Sequence, residues 1–335
     1  MAAYILPFEK PLLAIQNKIE ELRRFSAEQG LTTSHDVAQL EAQLDETRRD
    51  LYAQLTPWQK VMVARHPRRP YTRDYITAFV DDFNELHGDR LLSDDHSIVG
   101  GLGWIKGRRV MIIGTQKGRD TKSNLDCNFG CPFPEGYRKA LRLMRLAAKF
   151  SIPIVTLIDT PGAFPGIEGE QRHVAEAIAV NLREMFRLPV PILAVVIGEG
   201  GSGGALGIGV ANRILILEYA YYSVISPEGC AAILWKNRAR ADKAADALKL
   251  TAPDLLELGL VDAIIPEPPG GAHTDPPAIA AQVRDAILKQ LDLLAKLSPD
   301  QVLEQRYSKF RAMGVFKEGS VPALTPPPIP EDTRP

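Results

Sequence analysis

The sequence predicts an α/β protein whose core is a mainly parallel, buried β-sheet. Apolar runs of strand length alternate with helical periodicity through the central part of the chain. The runs at 152–159 and 191–197 are apolar almost throughout, as in strands that helices cover on both faces. An antiparallel hairpin is predicted ahead of them, with strands at 98–105 and 110–114 joined by a tight turn.

Composition limits the class of protein. The chain has 335 residues, 45% hydrophobic and 24% charged, which is enough for one large domain with appendages or for two domains. A net charge of −1 favours neither nucleic acid nor an anionic membrane as a partner. No apolar run approaches the roughly 20 residues that span a bilayer, and no secretory signal is visible. Three cysteines favour a reducing compartment, so we expect a cytoplasmic protein.

The N-terminal region predicts a helical hairpin. Residues 9–56 carry apolar side chains at helical spacing on both sides of a polar break at 30–36, which favours a packing or subunit-docking arm. The basic run at 65–70 is predicted to be a solvated linker. Residues 72–87 are predicted to form a further amphipathic helix. Its apolar face comprises Tyr75, Phe79, Phe83 and Leu86.

The other elements follow from the same periodicities. In chain order they are helices at 135–150 and 171–186, strands at 214–217 and 222–225, a helix from Ser226 through Trp235, closure of the core at 260–265, and helices within 278–311. The predicted organisation is a helical arm and linker at 1–70, the α/β domain with its C-terminal helices at 71–320, and a proline-rich disordered tail at 321–335.

The most informative segment for function is 198–205, with five glycines in eight positions directly after a predicted strand. Glycine costs backbone entropy, so a cluster this dense indicates that the main chain approaches something closely. The pattern Gly198-x-Gly200-x-x-Gly203, with Glu218 twenty residues on, is typical of dinucleotide binding. Against this hypothesis, only a short helix of about two turns fits before the next strand.

Two other hypotheses fit the same residues. Gly200-x-Ser202-x-Gly204 matches a nucleophile elbow, for which the one downstream histidine is His273, in a loop. Alternatively, the amides of Gly203 and Gly204 stabilise an oxyanion at a helix N-terminus, without side-chain chemistry. The loop at 160–166, which ends a neighbouring strand, would then form another wall of the cleft.

Several segments, taken together and in order, resemble the α-subunit family of bacterial acetyl-CoA carboxylase carboxyltransferases, a branch of the crotonase-fold superfamily. The matching segments are 134–144, 158–166, 198–205, 222–230 and 264–268. The resemblance extends over roughly residues 5–315. It implies a crotonase-like (ClpP/crotonase) core of ββα units with an N-terminal helical hairpin arm and C-terminal helices.

The resemblance also implies an activity and partners. A member of this family transfers the carboxyl group of carboxybiotin, held on biotin carboxyl carrier protein, to acetyl-CoA, giving malonyl-CoA in the first committed step of fatty acid biosynthesis. Biotin carboxylase and a zinc-ribbon β subunit that binds acetyl-CoA complete the enzyme, with an α2β2 heterotetramer as the expected assembly. No metal is expected in this chain, and Cys127 and Cys131 are expected to be free thiols.

Site residues carry over from the family by position. The oxyanion amides fall on Gly203 and Gly204, and these residues are the predicted catalytic groups, which stabilise charge on the ureido oxygen of biotin. The predicted carboxybiotin-binding residues are Gly200, Gly201, Gly162, Ala163 and Phe164. Because carboxybiotin can supply both electrophile and base, no tuned acid–base pair is needed near the glycines.

Alternatives remain open at this point. A self-sufficient crotonase-type enoyl-CoA hydratase or isomerase would need a complete CoA site in this chain, and a scaffold would use only the arm. Lys117 and Arg119 are expected to form surface ion pairs, although either could reach a carboxylate or phosphate. Glu199 and Glu228 are expected to cap helices or to pair with arginine rather than to act as bases.

Overall fold

The computed structural model describes residues 4–29 and 34–314, and it confirms the predicted α/β class. Its centre is an eight-stranded sheet. The strands are β1 Asp81–Glu85, β2 Ile98–Ile105, β3 Arg108–Thr115, β4 Ile154–Thr160, β5 Ile192–Gly201, β6 Arg213–Leu217, β7 Tyr221–Ser223 and β8 Ala263–Ile265. The α-helices of the described residues are α1 Lys10–Gln29, α2 Ser34–Ala53, α3 Pro57–Ala64, α4 Thr72–Phe79, α5 Thr121–Asp126, α6 Pro134–Lys149, α7 Ile167–Gln171, α8 Val174–Met185, α9 Ser202–Leu206, α10 Pro227–Trp235, α11 Ala241–Leu248, α12 Ala252–Glu257, α13 Pro276–Leu294 and α14 Pro299–Arg311.

The sheet combines an antiparallel edge with a parallel centre. Its strands lie in the order β1-β2-β3-β4-β5-β6-β8, and β7 pairs separately with β5. The antiparallel pairing of β2 with β3 confirms the predicted hairpin. From β3 to β8 each pairing is parallel. The carboxyl ends of β3, β4 and β5 therefore meet at the same end of the sheet, where ligands bind in open α/β sheets.

Strand β5 changes its partner along its length. Residues 193–196 pair with β6, and residues 199–201 pair with β7. The sequence predicts a strand end at residue 197, whereas the strand continues through Gly201 because β7 offers its main chain a second partner. The first three glycines of the segment at 198–205 are thus strand residues rather than loop residues.

The core is centred on β4 and β5, in which every residue is buried. On the sheet, α6 packs against β2 and β3, and α13 contacts β5 and β8. The core does not close at 260–265 as predicted, because α13 adds further buried side chains to it. These are Ile279, Ala280, Val283, Ile287 and Leu291.

The predicted helix at 72–87 is wrong in its second half. Helix α4 ends at Phe79, and the following residues form β1 against β2. A Cβ atom on Gly101 of β2 would lie 2.2 Å from the carbonyl oxygen of Asn84. Because β2 has no side chain there, β1 can approach closely, and the sheet hydrogen bonds override the helical spacing of the segment.

The predicted helix at 171–186 corresponds to α8, which begins three residues later. The shorter helix α7 precedes it, and His173 lies between the two with a φ of 64°. This left-handed conformation ends the first helix and turns the chain into the second. His173 occupies the N-cap position of α8 without a capping hydrogen bond from its side chain.

The basic run at 65–70 is not a solvated linker. Arg69 is completely buried, and its guanidinium binds both oxygens of Glu267 at 2.5 and 2.8 Å. The Nε atom of Arg69 also donates to the carbonyl oxygen of Ile197 at 2.6 Å. A bidentate pair with a carboxylate is the geometry that lets a buried arginine stay charged, so the run anchors the N-terminal segment to β5.

The helical arm packs onto the body through a separate apolar cluster. Its buried members are Leu6, Leu12, Tyr52, Leu55, Val63 and Tyr219. The hydroxyl of Tyr52 donates to Glu9 at 2.7 Å and closes the arm on itself. None of the helices within 4–29 and 34–314 is both long and apolar enough to cross a bilayer. The domain boundary at residue 70 stays a prediction, and the tail at 321–335 lies outside the described residues.

Helix α14 is held by a buried arginine that has no carboxylate partner among residues 4–29 and 34–314. Arg306 is 0% exposed and donates to the carbonyl oxygens of Met185, Leu188 and Val190 and to Asn212. Burial lowers the pKa of Arg306 to about 10. The guanidinium thus satisfies main-chain oxygens at the end of α8 and before β5.

We expect Arg306→Leu to lower the free energy of unfolding by about 3 kcal/mol or more, because several buried carbonyl oxygens lose a charged donor. Chemical denaturation of the full chain measures this. Arg311→Leu is the matched control, since Arg311 is exposed on the same helix. Equal stability of the two variants would contradict the role given to Arg306.

Two histidines stack where the arm meets the body. The rings of His66 and His273 lie 3.6 Å apart between centroids, and both side chains are buried. Burial, together with the neighbouring His66 and arginines, lowers the pKa of His273 to about 3. Burial also lowers the pKa of His66. Both rings are therefore neutral in the folded chain at neutral pH.

The stacked pair predicts a loss of stability on acidification. Below about pH 6.5 the unfolded chain binds a proton at position 273 that the folded chain does not bind, so the free energy of unfolding falls by up to about 1.4 kcal/mol per pH unit for this group. Urea titrations between pH 7 and pH 5 should show a shallower pH dependence for His273→Gln than for the unmodified chain. His35→Gln, at an exposed position, should leave the slope unchanged.

Candidate functional site

Two loops meet at the carboxyl ends of β4 and β5. One follows β4 over residues 160–166, and the other is the glycine-rich end of β5 with the short helix α9. The hydroxyl of Thr160 donates to the carbonyl oxygen of Gly130 at 2.6 Å, and the amide of Phe164 donates to the carbonyl oxygen of Pro132 at 3.0 Å. A third segment, at 130–132, therefore holds the first loop through these two hydrogen bonds.

The two loops touch main chain to main chain. A Cβ atom on Gly201 would lie 2.2 Å from the carbonyl oxygen of Pro161, and one on Gly204 would lie 2.4 Å from the carbonyl carbon of Gly162. No side chain fits at either position without moving a backbone. Packing alone thus accounts for glycine at these two positions.

Gly203 is different from its neighbours. A Cβ atom there would meet only the side chain of Ile178, at an ordinary 3.6 Å. Gly203 is partly exposed and lines a cavity, whereas Gly204 is buried. Both amides lie in the first turn of α9, whose N–H groups have no acceptor within the helix. The turn is formed by Ser202, whose φ of 54° is unusual for a residue with a side chain.

The cavity beside Gly203 has a volume of about 370 Å³. Its walls are mainly apolar and come from five parts of the chain. They comprise Ser202, Gly203, Leu206, Ile214, Tyr222, Ser223, Val224, Leu255, Leu260, Phe310 and Met313. Apart from Gly203, none of these residues is predicted from the sequence as a binding residue, because apolar side chains distributed over five segments carry no local motif.

The predicted binding residues lie in two settings. Gly162, Ala163 and Phe164 are partly exposed on the first loop, where the ring of Phe164 lies 4.0 Å from that of Phe133. Gly200 and Gly201 are buried in β5, beneath the surface that the first loop and α9 present. The structure thus brings all predicted site residues together, and their contacts with a ligand stay a prediction.

A buried charge cluster lies next to the loops. Lys117 follows β3, Asp159 lies in β4 and Glu199 lies in β5. The ammonium group of Lys117 is 2.6 Å from Asp159 and 2.8 Å from Glu199. The expectation of a surface ion pair for Lys117 is wrong, because its side chain is only 13% exposed. Arg119 does pair at the surface, with Asp74.

Glu199 is held from a second direction. Arg65 donates to it at 2.7 Å and to Glu228 at 2.5 Å, and the hydroxyl of Tyr221 donates to Glu199 at 2.7 Å. Burial alone would raise the pKa of Glu199, but the cations of Lys117 and Arg65 outweigh it and lower the pKa to about 2. The expected pairing of both glutamates with arginine is confirmed.

Lys117 is fixed in its charged form for the same reason. Burial opposes its charge, but Asp159 and Glu199 raise the pKa of Lys117 well above its usual range. Arg65, Lys117 and Glu199 therefore stay ionised throughout the physiological pH range. Groups with such pKa values are poor proton carriers at neutral pH. The cluster therefore stabilises the structure and contributes an electrostatic field rather than acid–base chemistry.

The two competing motif hypotheses find little support. Helix α9 has five residues, too few for a dinucleotide-binding helix, and the Glu218 carboxylate accepts a hydrogen bond from the amide of Glu267 at 3.0 Å. Ser202 has the strained backbone of a nucleophile elbow, but His273 stacks on His66. Cys127 and Cys131 are free thiols, as expected. Within the described residues, no group of His, Cys, Asp or Glu side chains could hold a metal ion.

Comparison with known proteins identifies close relatives. A family model described as acetyl co-enzyme A carboxylase carboxyltransferase-like matches residues 5–314. The chain is 54% identical to the acetyl-coenzyme A carboxylase carboxyl transferase subunit alpha of Acaryochloris marina, over 94% of this chain and 97% of that protein. It is 53% identical to the protein of the same name from Thermus thermophilus, over 93% of this chain and 99% of that protein.

Similarity to solved structures supports the fold. The crystal structure of transcarboxylase 12S with methylmalonyl-coenzyme A bound matches with a TM-score of 0.57 and 22% identity, over 70% of this chain and 42% of that chain. At this identity the likeness concerns the fold alone, which is the predicted crotonase-like one. The length and identity of the family matches decide the rest: the chain belongs to the family of acetyl-CoA carboxylase carboxyltransferase α subunits.

Proposed function

We propose that this chain is the α subunit of an acetyl-CoA carboxylase carboxyltransferase and takes part in moving the carboxyl group of carboxybiotin to acetyl-CoA, forming malonyl-CoA. Family membership over residues 5–314 supports the reaction. The observation that carries the site is the setting of Gly203, whose amide lies in the first turn of α9 at the wall of the apolar cavity. Main-chain amides preorganised in this way are suited to an oxygen that gains negative charge.

The residues of the cleft fit a small, mainly apolar ring system with one polar edge. The cavity of about 370 Å³ is within the range of small-molecule sites. Leu206 and Tyr222 would exclude water from the ring, and the amides of Gly203 and Gly204 would donate to its oxygen. Bound carboxybiotin supplies an activated carboxyl group and a ureido group. The protein supplies position, desolvation and hydrogen-bond donors.

The partners follow from the same proposal. A β subunit would bind acetyl-CoA and carry a zinc ribbon, biotin carboxyl carrier protein would deliver carboxybiotin, and biotin carboxylase would recharge it. We propose an α2β2 assembly in the cytoplasm. The names of the relatives, which are α subunits, support a shared site, and the free thiols of Cys127, Cys131 and Cys230 fit a reducing compartment.

The hydratase or isomerase alternative needs a group that moves protons. Glu199 and Glu228 are the carboxylates considered for this proton transfer, and both are paired with Arg65. The family matches favour the carboxyltransferase, so we retain that function alone.

The shared-site proposal predicts activity only in combination. Mixing this chain with a zinc-ribbon β subunit should give malonyl-CoA decarboxylation in the presence of a biotin analogue, measured by acetyl-CoA release. This chain alone should be inactive with malonyl-CoA and with enoyl-CoA. Turnover of enoyl-CoA by this chain alone, or no reaction with a competent partner, would refute the proposal.

A second prediction concerns Gly203 and Gly204. Substitution by alanine adds a methyl group at either position, and only the surroundings of that methyl group differ. Gly204→Ala should slow carboxyl transfer about 100- to 1,000-fold, because its Cβ collides with the backbone of 162–163 and displaces an oxyanion donor. Gly203→Ala should slow it less than about tenfold, because its Cβ meets only Ile178.

Steady-state rates of the assembled complex measure the difference, and circular dichroism checks that both variants fold. The oxyanion assignment fails if Gly204→Ala retains the full transfer rate.

A further inference from the structure

We propose that Lys117 is a positioning residue for carboxyl transfer, which sets the placement of the two loops that carry the site. This inference rests on the proposed function. Lys117 is one of three charged residues at the adjacent carboxyl ends of β3, β4 and β5. The other two are Asp159 and Glu199, which directly precede the loop at 160–166 and the glycines at 200–204.

The contacts of Lys117 span both strands. Its ammonium group binds Asp159 at 2.6 Å and Glu199 at 2.8 Å. The same Asp159 oxygen accepts the amide of Glu199 at 2.8 Å. A single cation therefore joins two side chains of neighbouring strands, and Asp159 in turn accepts the main-chain amide of the next strand. Any shift of one strand end relative to the other would lengthen at least one of these bonds.

Lys117 is itself clamped in place. A Cβ atom on Gly130 would lie 2.6 Å from Cγ of Lys117, so the segment at 127–131 lies directly on its stem. The carbonyl oxygen of Gly130 accepts the Thr160 hydroxyl at 2.6 Å. The lysine, the covering segment and the first loop thus form one connected unit, which a flexible surface lysine could not provide.

Charge balance makes the cation necessary. Asp159 and Glu199 have side chains that are only 1% and 8% exposed. Without Lys117, two buried carboxylates would face each other, because Arg65 also serves Glu228 and Arg69 is paired with Glu267. Like charges in a site of low polarity repel strongly. The other titratable groups that face the cluster are Tyr221, Tyr71, Tyr75, Arg69 and Cys131.

The repulsion would act next to the place where the two loops tolerate the least displacement. Residues 161–163 lie in contact with the main chain of Gly201 and Gly204, so a displaced strand end moves the amides of α9 as well. A displacement of about 1 Å can reduce a rate about 100-fold. Lys117 would thereby control the rate without touching the substrate.

The test uses the full chain assembled with its β subunit. Lys117→Met should lower kcat for carboxyl transfer about 100-fold while KM for the acyl-CoA stays within about threefold. Lys117→Arg, which keeps the charge, should remain within about tenfold of the unmodified complex. Lys289→Met, at an exposed position on α13, is the control and should change neither constant.

Two further readouts separate positioning from a general loss of structure. Lys117→Met combined with Asp159→Asn should recover at least about tenfold of the lost rate, since the excess negative charge is removed. The residual rate of Lys117→Met alone should rise as the pH falls from 8 to 6, because one carboxylate of the pair then takes up a proton. The unmodified complex should show no such rise from this cluster.

The outcomes are decisive in either direction. An inactive unmodified complex would refute the proposed function itself. With an active complex, an unchanged kcat for Lys117→Met, an effect on KM alone, or no recovery in the double variant would overturn the positioning role. If thermal unfolding shows that Lys117→Met does not fold, Lys117→Arg decides instead. A transfer rate of Lys117→Arg that is about 100-fold or more below that of the unmodified complex would overturn the proposal.

Discussion

The contact between two main chains is the constraint on which the site depends. Residues 161–163 and the glycines of 201–204 approach so closely that a single methyl group at Gly201 or Gly204 would overlap a backbone atom. At this contact few side chains are available that could hold the two main chains together. The protein places its fixing interactions two residues earlier, at Asp159 and Glu199, and joins them through Lys117. Arg65 and Arg69 then tie the same strand end to the segment that follows the arm.

In this arrangement buried charged side chains fix the positions of the loops, and main-chain amides form the site. The charged side chains are all paired, and their pKa shifts keep Lys117 and Glu199 ionised. The amides of α9 lie in its first turn, and Gly203 of that turn lines the cavity. A site of this kind is suited to chemistry in which the substrate brings its own reactive groups, because the protein then needs geometry more than proton transfer.

Much of the fold could be predicted because it depends on local patterns. The hairpin at β2 and β3, the apolar strands β4 and β5, and helix α10 after Ser226 all follow from periodicity and capping. The errors arise where tertiary contacts decide. Residues 81–85 have helical spacing but pair with β2, and the run containing Arg69 is polar yet buried against Glu267. The glycine segment pointed to the site, whereas the cavity walls and the role of Lys117 required the spatial adjacency of strand ends.

The change of partner along β5 has a consequence for how the cleft responds to a ligand. Strand β5 pairs first with β6 and then with β7, and each of these partners contributes a residue to the cavity wall, Ile214 of β6 and Tyr222 of β7. Part of the wall is thus built from hydrogen-bonded strands. A ligand that contacts walls of this kind orders little of the protein, so the entropy lost on binding is small. Preorganisation of the cleft is in this sense a property of sheet topology.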